Sequence, residues 1–180
     1  MTHDISIRRY CDLPARAEMV RAIDDIFFQS SNTQSFADEK TRAQFRERWL
    51  GRYLIHDPQW AYVALDPDAR VAGYLAGCLD DPAKALRFSD IALYARFQDL
   101  TERFPAHLHI NLAPQFRGAG AGAQLVSAFC GDARVAGAPG VHVITSRGAR
   151  NVSFYARNGF VELDSTGGDP RDAVFLARTL

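Results

Sequence analysis

Three glycines at alternate positions, Gly118, Gly120 and Gly122, follow Arg117 between a predicted strand, Leu108–Leu112, and a predicted helix, Ala123–Ala136. This strand-to-helix passage constrains the fold more than any other stretch of the chain. Glycine reaches left-handed backbone angles without a Cβ penalty and lets the backbone come close to a ligand. The first amides of the following helix lack intrahelical partners, and the helix dipole adds to their positive potential. Together they form a cradle suited to a pyrophosphate, to which Arg117 can add charge-assisted bonds. Two other readings of these residues stay open. One is a tight turn that holds nothing. The other is a dinucleotide fingerprint through Gly118, Gly120 and Ala123, against which Pro114-Gln115-Phe116-Arg117 separates the strand from the glycines and no acid stands ~20 residues on at a suitable strand end.

Around this turn the chain reads as alternating strands and helices. Residues 4–9 alternate apolar and polar, as a half-buried strand does. Asp12 and Pro14 mark a helix start, and Leu13, Ala17, Val20, Ile23 and Phe27 follow at helical spacing. Phe28–Ser35 reads as a turn. A second helix is expected over about Asp38–Leu54, with Phe45, Trp49 and Tyr53 along one face and His56-Asp57-Pro58 as its stop. Trp60–Leu65 and Arg70–Leu79 read as a hairpin through Asp66-Pro67-Asp68-Ala69. Residues 83–103 are helical or irregular. Leu125, Val126, Phe129, Ala133 and Ala136 form the buried stripe of the helix after the glycines. Val141–Thr145 is then a strand, Asn151–Asn158 a short helix closed by Gly159, and Phe160–Leu163 and Ala173–Arg178 the final strands. With no repeat, linker or low-complexity tract, a single α/β domain over 1–180 is expected.

Composition narrows the function classes. At ~150 residues per domain, 180 residues make roughly one domain, large enough to fold without disulfide or metal staples. Lys+Arg and Asp+Glu both number 21, which argues against a general nucleic-acid binder. Only Lys40 and Lys84 among those 21 basic residues are lysines, which leaves 19 arginines, so an anion site would be local. Cys11, Cys78 and Cys130 are scattered and read as reduced thiols. The N-terminus lacks a secretion-signal layout, and no apolar run approaches the ~20 residues of a membrane span. A cytoplasmic protein without membrane contact is expected.

The glycine run also fits the acyl-CoA signature Q/R-x-x-G-x-G/A, in registers that start at Gln115 or Arg117; from Arg117 the glycines lead straight into the helix. His109-Ile-Asn-Leu-Ala-Pro-Gln-Phe-Arg-Gly-Ala-Gly-Ala-Gly, with Phe154-Tyr-Ala-Arg-Asn-Gly-Phe downstream, resembles the GNAT superfamily of acyl-CoA N-acyltransferases. The stretch Phe104-Pro-Ala-His-Leu-His-Ile-Asn-Leu is similar to the acetyltransferase-like module found beside O-GlcNAc hydrolases. The resemblance implies a mixed, mostly antiparallel central sheet of about six or seven strands, flanked by helices, in which the fourth strand splays from the fifth. It also implies acetyl-CoA as co-substrate. Backbone groups of Asn111 and Leu112 would meet the acetyl carbonyl and pantetheine, and the amides of Arg117, Gly118, Ala119, Gly120, Ala121 and Gly122 the pyrophosphate. The family often has asparagine at the place of Gly148, in contact with the cofactor; the nearest here is Asn151.

For catalysis the resemblance points to Tyr155, as the acid that protonates the departing CoA thiolate; packing of a core aromatic is the alternative. Strand alternation puts His107, His109 and Asn111 on one face, opposite Leu108, Ile110 and Leu112, and the polar face would look toward the amine acceptor. A histidine titrating near neutrality suits a general base, so His109 is the candidate base, against a structural pair of histidines. No metal is expected, since no carboxylate or cysteine stands close to the pair. Arg147 and Arg150 are candidates for CoA phosphates, and Glu162, Asp164 and Asp90 for a cationic amine. With no cysteine in the motifs, direct N-acetyl transfer to a primary amine on a small molecule or peptide is expected. The alternative is a catalytically silent acetyl-CoA-binding module.

Overall fold

The alternating strand at the N-terminus forms as β1, Ser6–Arg9, and leads into α1, Arg16–Ser30, in a computed structural model that describes residues 4–14 and 16–180. Met1–His3, part of the N-terminus read as lacking a secretion signal, lies outside the described residues. Two units are distinguished, residues up to Gly77 with His109–Phe129, and Cys78–Leu108 with Cys130–Leu180.

In the first unit α1 carries Phe28–Ser30, expected in the turn, as its last residues. Asp38 then caps α2, Glu39–Arg46, by accepting from the Thr41 amide at 2.7 Å, the favoured role of a short acid before a helix. The expected second helix runs two residues further, through a π segment, Glu47–Gly51, and α3, Arg52–His56. The hairpin forms as expected. β2, Ala61–Leu65, pairs antiparallel with β1 on one side and with β3, Val71–Cys78, on the other. Its turn is built on Asp66, whose Oδ1 accepts from the amides of Asp68 (3.0 Å) and Arg70 (2.8 Å). Burial works against the Asp66 carboxylate, but the Arg70 bonds outweigh it and hold its pKa below the usual range. Ile23, Leu50, Tyr53, Val63, Leu75, Leu125 and Phe129 are buried in this unit. Gly77 is required there: a Cβ would lie 2.4 Å from Phe129 Cε2.

The unit also holds the C-terminal half of β4, Ala106–Leu112, and most of α6, Ala121–Val135. The helix starts two residues before its expected position, so Ala121 and Gly122 belong to its first turn. The Ala113 amide donates to Ala72 O at 2.9 Å, which ties the end of β4 to β3.

The second unit holds α4, Ala92–Arg96, α5, Gln98–Arg103, the start of β4, β5, Gly140–Ser146, α7, Asn151–Arg157, β6, Val161–Ser165, and β7, Ala173–Thr179. β5 and β6 both pair antiparallel with β7. The β4–β5 ladder is parallel and consists of two pairs, Ala106↔Val141 and His107↔His142. The strand order is β1-β2-β3-β4 and then β4-β5-β7-β6. A seven-stranded, mostly antiparallel sheet with helices, and a short fourth-to-fifth ladder, matches the expected fold class. Phe97, Phe104, Phe175 and Ala177 form a core cluster with Leu93, Leu100 and Ile144 against it.

The polar face expected of β4 needs correction at His107. This residue is only 2% exposed, lies edge-on to Phe88 with ring centres 4.9 Å apart, and stacks on His142. Its Nδ1–H donates to Pro105 O at 3.3 Å, and His142 stacks on Phe175 at 4.6 Å. Alternation assigns a face but not what covers it; here aromatic side chains cover His107. Among the described residues no helix is long and apolar enough to cross a membrane.

Candidate functional site

The glycine turn sits in the first unit. Pro114–Phe116 makes a 3₁₀ turn with Phe116 buried as its anchor. Gly118 and Gly120 then take left-handed φ angles of 81° and 86°. An added Cβ would meet nothing within 4 Å at either glycine, so the demand for glycine is conformational. The Gln124 amide donates back to Gly120 O at 3.2 Å. The amides before it are those that a helix start leaves without intrahelical acceptors. Arg117 is less free than expected. Its Nε donates to Leu112 O (3.1 Å) and its Nη2 to Ser30 Oγ (3.3 Å), so the guanidinium ties the end of β4 to α1.

Asn111 uses its side chain. Its Nδ2 donates to the Tyr74 hydroxyl at 2.8 Å. Tyr74 is fully buried, and burial raises its pKa well above that of an ordinary phenol. Asp24 and Arg46 act electrostatically on this phenol and form an ion pair at 2.8 Å. The Asn111 carbonyl faces β3, because a Cβ on Gly73 would lie 2.7 Å from it. Backbone groups of successive strand residues point to opposite edges, so those of Leu112 point away from β3 while its side chain packs toward Gly73.

His109, next on the same face, is half-buried. The Tyr53 hydroxyl lies 3.1 Å from its Nε2. Two rings meet it edge-on, Tyr53 at 5.1 Å and 77° and Trp49 at 5.8 Å and 78°. Burial pushes its pKa down to about 4. This direction runs against the expected titration near neutrality, because burial disfavours the charged ring and leaves it neutral at pH 7. Trp49, Tyr53, Tyr74 and the Asp24–Arg46 pair were not anticipated as site residues. Trp49 and Tyr53 read as an apolar helix face, and the one available signal was the buried tyrosine hydroxyl, which needs a partner.

Tyr155 and Asn151 lie on α7 in the second unit. Tyr155 is 3% exposed, edge-on to Phe154 (5.2 Å) and Phe160 (5.3 Å). Burial raises its pKa above the ordinary phenol value, so it is a protonated donor at neutral pH. Asn151 Oδ1 accepts from Thr145 Oγ1 at 2.9 Å. The Gly148 amide donates to Pro170 O at 2.8 Å. Arg147 pairs with Glu162 at 2.8 Å, so these two candidates for phosphate and amine binding neutralise each other. The first unit thus brings together the glycine turn, Arg117, Leu112, Asn111 and His109; the second holds Tyr155 and Asn151.

Comparison with known proteins bears on the family and the fold. The acetyltransferase (GNAT) domain family model matches residues 57–162. Among solved structures, the chain is similar to SsHAT (22% identity, 97% of this chain and 98% of that chain, TM-score 0.76). It is also similar to a GNAT superfamily phosphinothricin acetyltransferase from Sinorhizobium meliloti in complex with AcCoA (22% identity, 100% and 89% covered, TM-score 0.63). A third likeness is to an agmatine N-acetyltransferase (15% identity, 98% and 100% covered, TM-score 0.65). At such identities these structures speak for the fold, while the family model covers more than half of the chain: the protein belongs to the GNAT acetyltransferase domain family.

Proposed function

We propose that the protein is an acetyl-CoA-dependent N-acetyltransferase that moves the acetyl group directly to a primary amine on a small molecule or peptide. The observation that carries this reading is the pair of left-handed glycines, Gly118 and Gly120, opening onto the N-terminus of α6 immediately after β4. In a GNAT domain this turn is suited to the CoA pyrophosphate, held by the amides from Arg117 to Gly122. The AcCoA-bound phosphinothricin acetyltransferase of similar fold supports the choice of cofactor.

In the proposed reaction the amine lone pair attacks the thioester carbonyl, the carbon–sulfur bond breaks, and the CoA thiolate leaves. Leu112, at the end of β4, presents backbone to the acyl arm, where an amide aimed at the developing oxyanion lowers the barrier. Tyr155 gives its proton to the thiolate and regains one from solvent. Asn151 is the asparagine nearest in sequence to Gly148, where the family often has one. The amine releases its proton to solvent water, which passes it to the bulk phase. Cys78 and Cys130 are buried and no cysteine lies in either motif, which favours direct transfer over an acyl-enzyme.

The test is a calorimetric titration with acetyl-CoA, followed by CoA-release assays over a panel of primary amines. Binding with turnover on at least one amine is expected. Tight binding without turnover on any of them would replace this reading with a silent acetyl-CoA-binding module, and no binding would remove both.

A further inference from the structure

Tyr53 stands on α3 with its side chain fully buried, and its hydroxyl lies 3.1 Å from His109 Nε2. Its ring and that of Trp49, from the π segment, meet the imidazole edge-on. The imidazole is therefore gripped at one nitrogen and flanked by two aromatics. An O···N contact of this kind has two polarities. A phenol, with a usual pKa of about 10, is a far better proton donor than a neutral imidazole N–H. The imidazole lone pair is in turn a better acceptor than a phenol oxygen. The bond therefore runs from Tyr53 O–H to Nε2, and a neutral imidazole that accepts at Nε2 carries its proton on Nδ1. Among the described residues Nδ1 has no hydrogen-bond partner, so its N–H is available to donate.

We propose that Tyr53 is a positioning residue that fixes His109 as the Nδ1–H tautomer and makes it a hydrogen-bond donor. An ammonium has no lone pair to offer such a donor, so the partner of His109 is a group that accepts. The proposal rests on the acetyltransferase reading for its consequence in transfer, but the tautomer itself does not depend on turnover.

The experiment is a long-range proton–nitrogen correlation near pH 7 on the full chain labelled with ¹⁵N-histidine, with the His109 signals assigned by their loss in His109→Gln. The expected result is a His109 ring protonated at Nδ1 and bare at Nε2. In Tyr53→Phe, loss of one hydrogen bond should cut the ratio of Nδ1–H to Nε2–H tautomer by about tenfold. A dominant Nε2–H form or an imidazolium in the unsubstituted protein would overturn the proposal. So would an unchanged ratio in folded Tyr53→Phe. If that variant does not fold, the tautomer of the unsubstituted protein decides alone. Acetyl-CoA affinity measured on the same sample reports separately on the acetyltransferase reading.

Discussion

Gly148 and Pro170 are packed so closely that a Cβ on the glycine would lie 2.9 Å from Pro170 Cβ and 3.1 Å from its carbonyl oxygen. The Gly148 amide also donates to that carbonyl at 2.8 Å, so the two segments cannot separate without losing a bond. The asparagine that the family often carries at this place has no room here. Gly148→Asn is therefore expected to cost about 1–3 kcal/mol of stability, as overpacking does, and to bring no gain in acetyl-CoA affinity. Thermal unfolding and calorimetry check the two halves. An unchanged Tm with tighter binding would mean that Pro170 yields and the asparagine role is restored.

The same glycine-to-alanine change should have opposite signs at two places. At Gly120 the backbone φ is 86°, where a side chain costs about 1–2 kcal/mol. Gly120→Ala should distort the turn and weaken acetyl-CoA binding about tenfold, as calorimetry would read it. Gly131 lies inside α6, where a Cβ would meet nothing within 4 Å. Gly131→Ala should raise stability by up to about 1 kcal/mol and leave binding alone. Equal behaviour of the two variants would remove the conformational argument for the turn.

Local chemistry made some parts of this molecule legible from sequence. Asp38 reads in the sequence as the start of the second helix, and it caps α2. Asp66-Pro67-Asp68-Ala69 reads as a hairpin turn, and Asp66 closes it. The glycine run fell between strand and helix because left-handed φ and helix starts are written in neighbouring residues. What was not legible depends on residues distant in the chain. Pro170 decides what Gly148 can be, Gly73 decides which way the Asn111 carbonyl turns, and Phe88 and His142 cover a histidine that alternation alone left facing outward. The π segment inside the second helix likewise escapes periodicity, since it adds no polar or apolar mark of its own.

Tyr155→Phe removes one oxygen from a ring whose packing against Phe154 and Phe160 stays possible. Burial holds the phenol's pKa above its ordinary value, so it remains protonated through the neutral range and can serve as an acid there. Loss of a general acid typically costs about a hundredfold or more in rate. The variant should lose kcat on that scale at saturating acetyl-CoA, with calorimetric affinity nearly unchanged. Turnover equal to the parent's would make Tyr155 a packing residue only.

His109 ties stability to pH. Its pKa is pushed down to about 4 in the folded chain by burial, against an unfolded value near 6.5. Between those values the unfolded state binds more protons, so stability rises with pH across that window. The contribution is fully present above pH ~6.5 and is lost as pH falls toward ~4. Its upper limit is about 3 kcal/mol, less for a half-buried ring, with about 2 kcal/mol of that limit falling between pH 7 and pH 5. Denaturant midpoints of the parent should drop over that interval, and those of His109→Gln should drop less. Comparing the two chains removes the shared contribution of the other buried histidines. Parallel pH dependence in parent and variant would show that His109 is protonated alike in the folded and unfolded chain.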